Sequence, residues 1–214
     1  MQSDMNDLQN RAVIIYELLS ETYPAVSIAL NFSTPFELLI ATVLSAQCTD
    51  KKVNEVTESL FAKYRSPSDY LTVAVMELER DIFSTGFYKQ KAKSIKGICE
   101  KLITEFSGNV PQDFEVLVTF PGVGRKTASA VLGNAFGIPA IAVDTHVKRI
   151  SNLLGLVVSD NPDSIEYELK KLLPKEYWVN FSHLIATHGR TICFARKPKC
   201  TECVLQSVCP SANV

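Results

Sequence analysis

The chain has 214 residues, 46% of them hydrophobic, and a net charge of −1. That is enough apolar material for one or two packed domains and excludes a disordered or low-complexity chain. The opening MQSDMNDLQN is polar and acidic, unlike a secretory signal, and no run approaches the roughly 18 apolar residues of a membrane span. A soluble, cytoplasmic protein with reduced thiols and no membrane partner is expected.

Hydrophobic periodicity is helical nearly throughout, no alternating strand pattern stands out, and the predicted fold class is all-α. A first helix is expected near 9–20. Thr34-Pro35 reads as an N-cap with proline at the first helical position, followed by the core stripe Phe36, Leu39, Ile40, Val43 and Leu44. Thr49 or Asp50 then caps a helix marked by Val53, Val56 and Leu60. Ala92, Ile95, Cys99, Leu102 and Phe106 mark a long helix that ends at Gly108. Cys48 and Cys99 lie on apolar stretches and read as core thiols. Further helices are expected near 163–172 and 175–188.

The stretch from Phe120 to His146, FPGVGRKTASAVLGNAFGIPAIAVDTH, holds the densest chemistry. Phe114, Leu117 and Val118 before it, and Ala128, Val131, Leu132 and Ala135 within it, predict two helices joined by Pro121-Gly122-Val123-Gly124. Glycines permit positive φ and leave backbone N–H groups uncovered, and a helix N-terminus attracts anions, so the turn can hold a phosphate. An ordinary connection between packed helices fits the same residues.

Lys126 falls in the first turn of the second helix, where the dipole disfavours a cation. A neutral amine there is a nucleophile able to form a Schiff base; a solvated or phosphate-contacting lysine is the plainer reading. Asp144, 18 residues on, precedes Val147, Ile150 and Leu154 at helical spacing and reads first as an N-cap. A carboxylate so fixed can also stabilise developing positive charge or relay a proton.

Cys193, Cys200, Cys203 and Cys209 form the pattern C-x6-C-x2-C-x5-C, with Arg196, Lys197 and Lys199 between them. A disulfide framework needs an oxidising compartment, a four-cysteine zinc site usually shows two short pairs, and an iron–sulfur cluster also takes four thiolates. Composition leaves zinc and iron–sulfur both open.

Basic residues cluster twice. Arg190, Arg196, Lys197 and Lys199 form one group, and Lys89, Lys91, Lys93, Lys96 and Lys101 another, with acids at Asp4, Asp7, Glu17 and Glu21 and again over 160–168. One basic face with an acidic back, or a set of solvated helix faces, follows from this pattern.

The segments FELLIATVLSAQCTD (36–50), GFYKQKA (86–92), FPGVGRKTA (120–128), IAVDTH (141–146), HGR (188–190) and CFARKPKCTECVLQSVC (193–209) resemble, in order, the endonuclease III family of DNA glycosylases in the helix-hairpin-helix superfamily. The resemblance implies two helical lobes with DNA bound in the cleft between them. One lobe would span 28–138, with the helix-hairpin-helix near 112–133. The other would combine 1–27 with 139–214 and carry a 4Fe–4S cluster on the four cysteines. Lys126 and Asp144 would then face one another from opposite lobes.

The implied activity is bifunctional base excision: removal of oxidised pyrimidines from double-stranded DNA, then β-elimination at the abasic site through a Lys126 Schiff base. Gln47 would enter the space of the extruded nucleotide and Phe87 would act as the wedge, although alone they read as a solvent-facing amide and a core ring. Gly122, Val123, Gly124 and Arg125 would hold a phosphate, and Arg190, Arg196, Lys197 and Lys199 would contact the backbone. Ser45 and Asp50 would join a polar network near Lys126. A nucleoid-associated cytoplasmic monomer is implied. Two rivals remain: a mismatch-specific adenine glycosylase, which generally lacks this lysine, and a non-catalytic DNA-binding module with structural zinc.

Overall fold

The computed structural model describes residues 2–212, with side chains from residue 5 onward, so the Asp4 side chain lies outside it. Helices and three short 3₁₀ turns account for its regular structure, and there is no strand among the described residues. None of the described helices is long and apolar enough to cross a membrane. The chain forms two compact units: Ile28–Ile138, and the segment through Ser27 together with the chain from Pro139 onward.

In the Ile28–Ile138 unit, α2 (Pro35–Leu44) starts where Thr34 accepts from the Glu37 amide at 3.1 Å, while the Glu37 carboxylate accepts from the Ser33 amide at 2.6 Å. These bonds satisfy amides that an isolated helix would leave unpaired. α3 (Asp50–Lys63) is capped by Thr49 rather than Asp50. Two short helices the periodicity did not announce follow, α4 (Pro67–Thr72) and α5 (Val75–Asp81). Ser66 and Asp69 form a full capping box for α4. That helix places Tyr70 in the core, with ring centroids 5.6 Å from Phe36 and 4.9 Å from Tyr64.

The long helix α6 (Tyr88–Phe106) buries Ala92, Ile95, Ile98, Cys99 and Leu102. It stops where Ser107 and Gly108 take positive φ and the Gly108 amide returns to the Leu102 carbonyl at 2.8 Å. α7 (Phe114–Leu117) is a single turn capped by Asp113, and α8 (Arg125–Phe136) buries Ala128, Val131 and Leu132 against the same core.

In the other unit, α1 (Gln2–Thr22) begins well before the expected residue 9 and buries Ala12, Ile15 and Leu19. They meet Val147 and Ile150 of α9 (Thr145–Leu153), Ile165 and Leu169 of α10 (Pro162–Leu172), and Phe181, Leu184 and Ile185 of α11 (Trp178–Thr191). A Cβ added at Gly189 would lie 2.3 Å from His146 Nδ1 and 3.0 Å from Ile150 Cδ1, so only glycine lets α11 come this close to α9.

Candidate active site

The hairpin between α7 and α8 is shaped by contacts on its inner side. Gly122 has φ +76, and a Cβ there would lie 2.8 Å from the buried Ser94 Oγ on α6. One turn along α6, a Cβ on Gly97 would lie 2.9 Å from Pro121 Cγ. Small residues on the helix and glycine in the turn thus allow the close approach. Val123 buries its side chain in the core and spends its amide on the Phe120 carbonyl at 3.1 Å, so it supports the turn from within. Gly124 is the N-cap of α8 and supplies no side-chain cap, which leaves the start of that helix uncovered by any hydroxyl or carboxylate of its own cap.

Two cations emerge at that point. Arg125 is exposed and its guanidinium lies 4.5 Å from the centroid of the Phe114 ring, a cation–π contact that packs its stem along α7. Lys126 follows in the first turn of α8 and is exposed. Burial of Thr127's neighbours Ala128 and Val131 fixes the helix face, and the lysine is on the opposite, outer side.

In the other unit, Asp144 caps α9 as expected: Oδ1 accepts from the Val147 amide at 2.7 Å. His146, from the same motif, and His183, which no motif announces, are electrostatic neighbours of Asp144, and Arg190 acts on both imidazoles. Burial pulls both imidazoles below the usual histidine range, Arg190 pulls them further down, and Asp144 opposes. His146 Nδ1 is buried without a hydrogen-bond partner among the described residues. A protonated ring there would have to hold a buried charge beside Arg190 and Arg149, so the neutral form is favoured.

Gln47 and Phe87 are both exposed, Phe87 at 65%, which overturns the reading of Phe87 as a core ring. Among the described residues the non-glycine positions with positive φ are Gln47 (+53), Phe87 (+48), Ser107 (+52) and Lys197 (+55). Three of these four, Gln47, Phe87 and Lys197, are residues for which the family resemblance implies DNA contact. Such conformations cost free energy and persist only where the surroundings enforce them, which is why they concentrate at working loops. Ser45 donates to the Thr42 carbonyl at 2.9 Å and so helps end α2, while Asp50 opens α3.

The lysines of α6 do not form the expected basic face. Lys91 is buried, and the Lys96 ammonium donates to the Leu71 and Val73 carbonyls. Lys101 donates to Thr119 at 2.7 Å and lies over the Phe120 ring. Only Lys89 and Lys93 of that run are exposed, because helical periodicity carries every third or fourth residue inward. By contrast Arg190, Arg196, Lys197 and Lys199 are all exposed.

The four C-terminal cysteines line one cavity of about 310 Å³ together with Arg149, Ile150 and His188. All are free thiols. Burial pushes the Cys203 thiol up, and the nearby Cys193, Cys209 and Cys200 push it further. The four sulfurs share the lining of one cavity, while among the described residues no three potential ligands stand at metal-holding spacing, so four thiolates here fit a cluster by donor type and shared cavity. The loop is anchored from outside: Arg149 donates to the Cys193 carbonyl at 2.7 Å, and His188 Nε2 lies 3.4 Å from Cys203 Sγ, with its Nδ1 3.1 Å from the Tyr23 hydroxyl. Sequence reasoning missed both supports. His188 sits at helical spacing from Ile185 and Phe181 and passes for a core histidine, and nothing adjacent to Arg149 points to a loop 44 residues away.

Residues 40–175 match the family model described as HhH-GPD superfamily base excision DNA repair protein, and residues 193–209 match the iron–sulfur binding domain of endonuclease III. An Endonuclease III of Synechocystis sp. is 50% identical over 210 residues, covering 98% of this chain and 96% of its own. The chain belongs to the endonuclease III family. A solved structure described as a non-covalent Endonuclease III–DNA complex is 45% identical, covers 95% of this chain and 96% of its own, and superposes with a TM-score of 0.91. A second, described as a trapped Endonuclease III–DNA covalent intermediate (estranged-adenine complex), has the same identity, coverage and TM-score. Membership makes this chain a base-excision-repair DNA glycosylase and abasic-site lyase with a 4Fe–4S cluster. That membership decides between the zinc and iron–sulfur readings of the four cysteines in favour of iron–sulfur.

Proposed function

We propose that this endonuclease III-family enzyme acts on duplex DNA carrying oxidised pyrimidines or abasic sites, as a cytoplasmic, nucleoid-associated monomer, with Lys126 as its nucleophile. The observation that carries the reading is the placement of Lys126, an exposed amine in the first turn of a helix whose glycine cap covers nothing. A relative trapped covalently on DNA supports the same chemistry.

Extruding the damaged nucleotide leaves a gap, which Gln47 enters while Phe87 wedges the stack. The amides at the start of α8, around Gly122 and Gly124, hold a backbone phosphate, with Arg125 beside them and Val123 supporting from inside. Arg190, Arg196, Lys197 and Lys199 take further phosphates. The neutral amine of Lys126 attacks C1′, and the bond to the base breaks as the base leaves protonated. Asp144, fixed as the cap of α9, stabilises the positive charge that develops on the sugar and relays the amine's protons. Ring opening gives the imine; loss of a C2′ proton then breaks the bond to the 3′ phosphate, and water releases the enzyme. Cys193, Cys200, Cys203 and Cys209 would hold the cluster, which supplies a structural cross-link for the basic loop when bound.

Incubation with a duplex containing one thymine glycol tests the reading. The expected product is a nick 3′ to the lesion bearing an unsaturated aldehyde end. Release of base with an intact strand would instead identify a monofunctional glycosylase.

A further inference from the structure

Lys91 is a lysine that the proposed chemistry does not use, yet it is only 5% exposed, inside the Ile28–Ile138 unit. A buried ammonium is expensive unless its donors are satisfied. Its Nζ donates to the Leu44 carbonyl at 2.7 Å and to the Thr85 carbonyl at 2.8 Å, and its backbone amide donates to the Phe87 carbonyl at 3.0 Å. Burial lowers its pKa, with Cys48 opposing.

The acceptors are the informative part. Leu44 is the last residue of α2, three positions before Gln47. The neighbouring carbonyls of that terminus are served locally: Ala41 by the Ser45 amide, Thr42 by the Ser45 hydroxyl, Val43 by the Ala46 amide. The Leu44 carbonyl is served by Lys91. Thr85 ends the 3₁₀ turn Phe83–Thr85, two positions before Phe87. Both loops that follow carry a left-handed non-glycine residue, Gln47 and Phe87, at their exposed tip. At the C-terminus of α2 the cation also meets the negative end of a helix dipole.

We propose that Lys91 is a positioning residue that clamps the Gln47 and Phe87 loops into one unit, so that both side chains enter the duplex together. This rests on the insertion roles proposed above for Gln47 and Phe87. With one ammonium bonded to both loop stems, movement of either stem breaks its bond to Lys91 and leaves that shared buried donor short of an acceptor, which couples the two loops. Its work is done in the extrusion step, where two loops must act on one base step, and not in the imine chemistry at Lys126.

The test compares the wild-type holoenzyme with Lys91→Met, which keeps the apolar stem and removes the donors, and with Lys91→Arg, which retains donors. In Lys91→Met, hydrogen exchange should accelerate in residues 45–49 and 84–88 together while α3 and α8 stay protected. Cleavage of a thymine glycol duplex should drop by about 10- to 100-fold, the range expected when hydrogen bonds to a charged group are lost in the transition state. Borohydride trapping on a single-stranded abasic oligonucleotide, which has no stack to open, should stay unchanged, and Lys91→Arg should recover part of the duplex activity.

Equal losses on duplex and single strand, or loosening of one loop alone, would overturn the clamp. If Lys91→Met does not fold, native-state exchange of the wild type decides: the two loops should open with one common free energy, and separate openings would overturn the proposal. Gln47→Ala and Phe87→Ala separate this claim from the one beneath it. If both leave duplex cleavage intact while Lys91→Met still loosens both loops, the clamp stands as a structural link and the insertion roles fail. If they impair cleavage while Lys91→Met changes nothing, the insertion roles stand and the clamp fails.

Discussion

At the scale of single residues, Asp144 and Gly122 each have a structural role on which the proposed chemistry is laid. Asp144 caps α9 through the Val147 amide, and asparagine caps a helix about as well as aspartate. Asp144→Asn should therefore leave thermal stability within about 0.5 kcal/mol while base release falls by orders of magnitude; Asp144→Ala should lose the same activity and about 1 kcal/mol besides. Melting curves beside single-turnover kinetics separate the two, and retained activity in the asparagine variant would remove the carboxylate from the chemistry. Gly122→Ala forces a Cβ onto Ser94 at a φ of +76 and should cost about 1–3 kcal/mol, read as a lower melting temperature with weaker DNA binding. The structural roles of both residues were legible because they are written in adjacent letters, a capping acid before an apolar stripe and a G-x-G turn between two. That of Lys91 was not. Its acceptor at Leu44 lies 47 residues away, and on paper it counted as one more exposed charge.

Among the elements, those with several turns of regular stripe were readable: α10 spans Pro162–Leu172 against an expected 163–172, α2 begins at Pro35 as expected, α6 ends two residues before Gly108, and α8 carries its expected stripe. The short ones were not, because α4 and α5 have six and seven residues, too few turns for a period to stand out from background. α7 starts where expected, capped by Asp113, but is a single turn because turns replace the helix from Val118 up to the hairpin. Contacts between elements are invisible to periodicity in the same way, and the α9–α11 crossing at Gly189 is the clearest case. Gly189→Ala should push His146 or Ile150 aside and lower stability by about 1–3 kcal/mol; an unchanged melting temperature would show that the crossing tolerates a methyl group. We propose that the cluster would hold the cysteine loop from within, while Arg149 and His188 support it from outside. Oxidative loss of the cluster should bleach the protein's visible absorbance, open residues 194–199 to proteolysis and weaken DNA binding, while α2–α8 keep their exchange protection.

On the scale of the whole molecule, charge is the quantity to test. Net charge is −1, so DNA affinity must come from how the cations are placed. With Lys91, Lys96 and Lys101 engaged internally, we propose that the exposed set on the cysteine loop carries much of that burden. Replacing Arg196, Lys197 and Lys199 by alanine should reduce the slope of log affinity against log salt by about 2–3, whereas Lys96→Ala should leave it unchanged. Acid should act on stability as well. His146 and His183 have folded pKa values below their unfolded value, so between the two the unfolded chain binds more protons. Their contribution is present near neutrality and is lost as pH falls below the usual histidine range of about 6.5. His183→Gln should flatten that loss between pH 7 and 5, and an identical profile would place the titration elsewhere. The central claim is covalent: the enzyme holds its DNA through Lys126. Borohydride trapping on a thymine glycol duplex should give a protein–DNA adduct with wild type and none with Lys126→Gln, whereas an undiminished adduct from a folded, cluster-loaded variant would contradict the assignment.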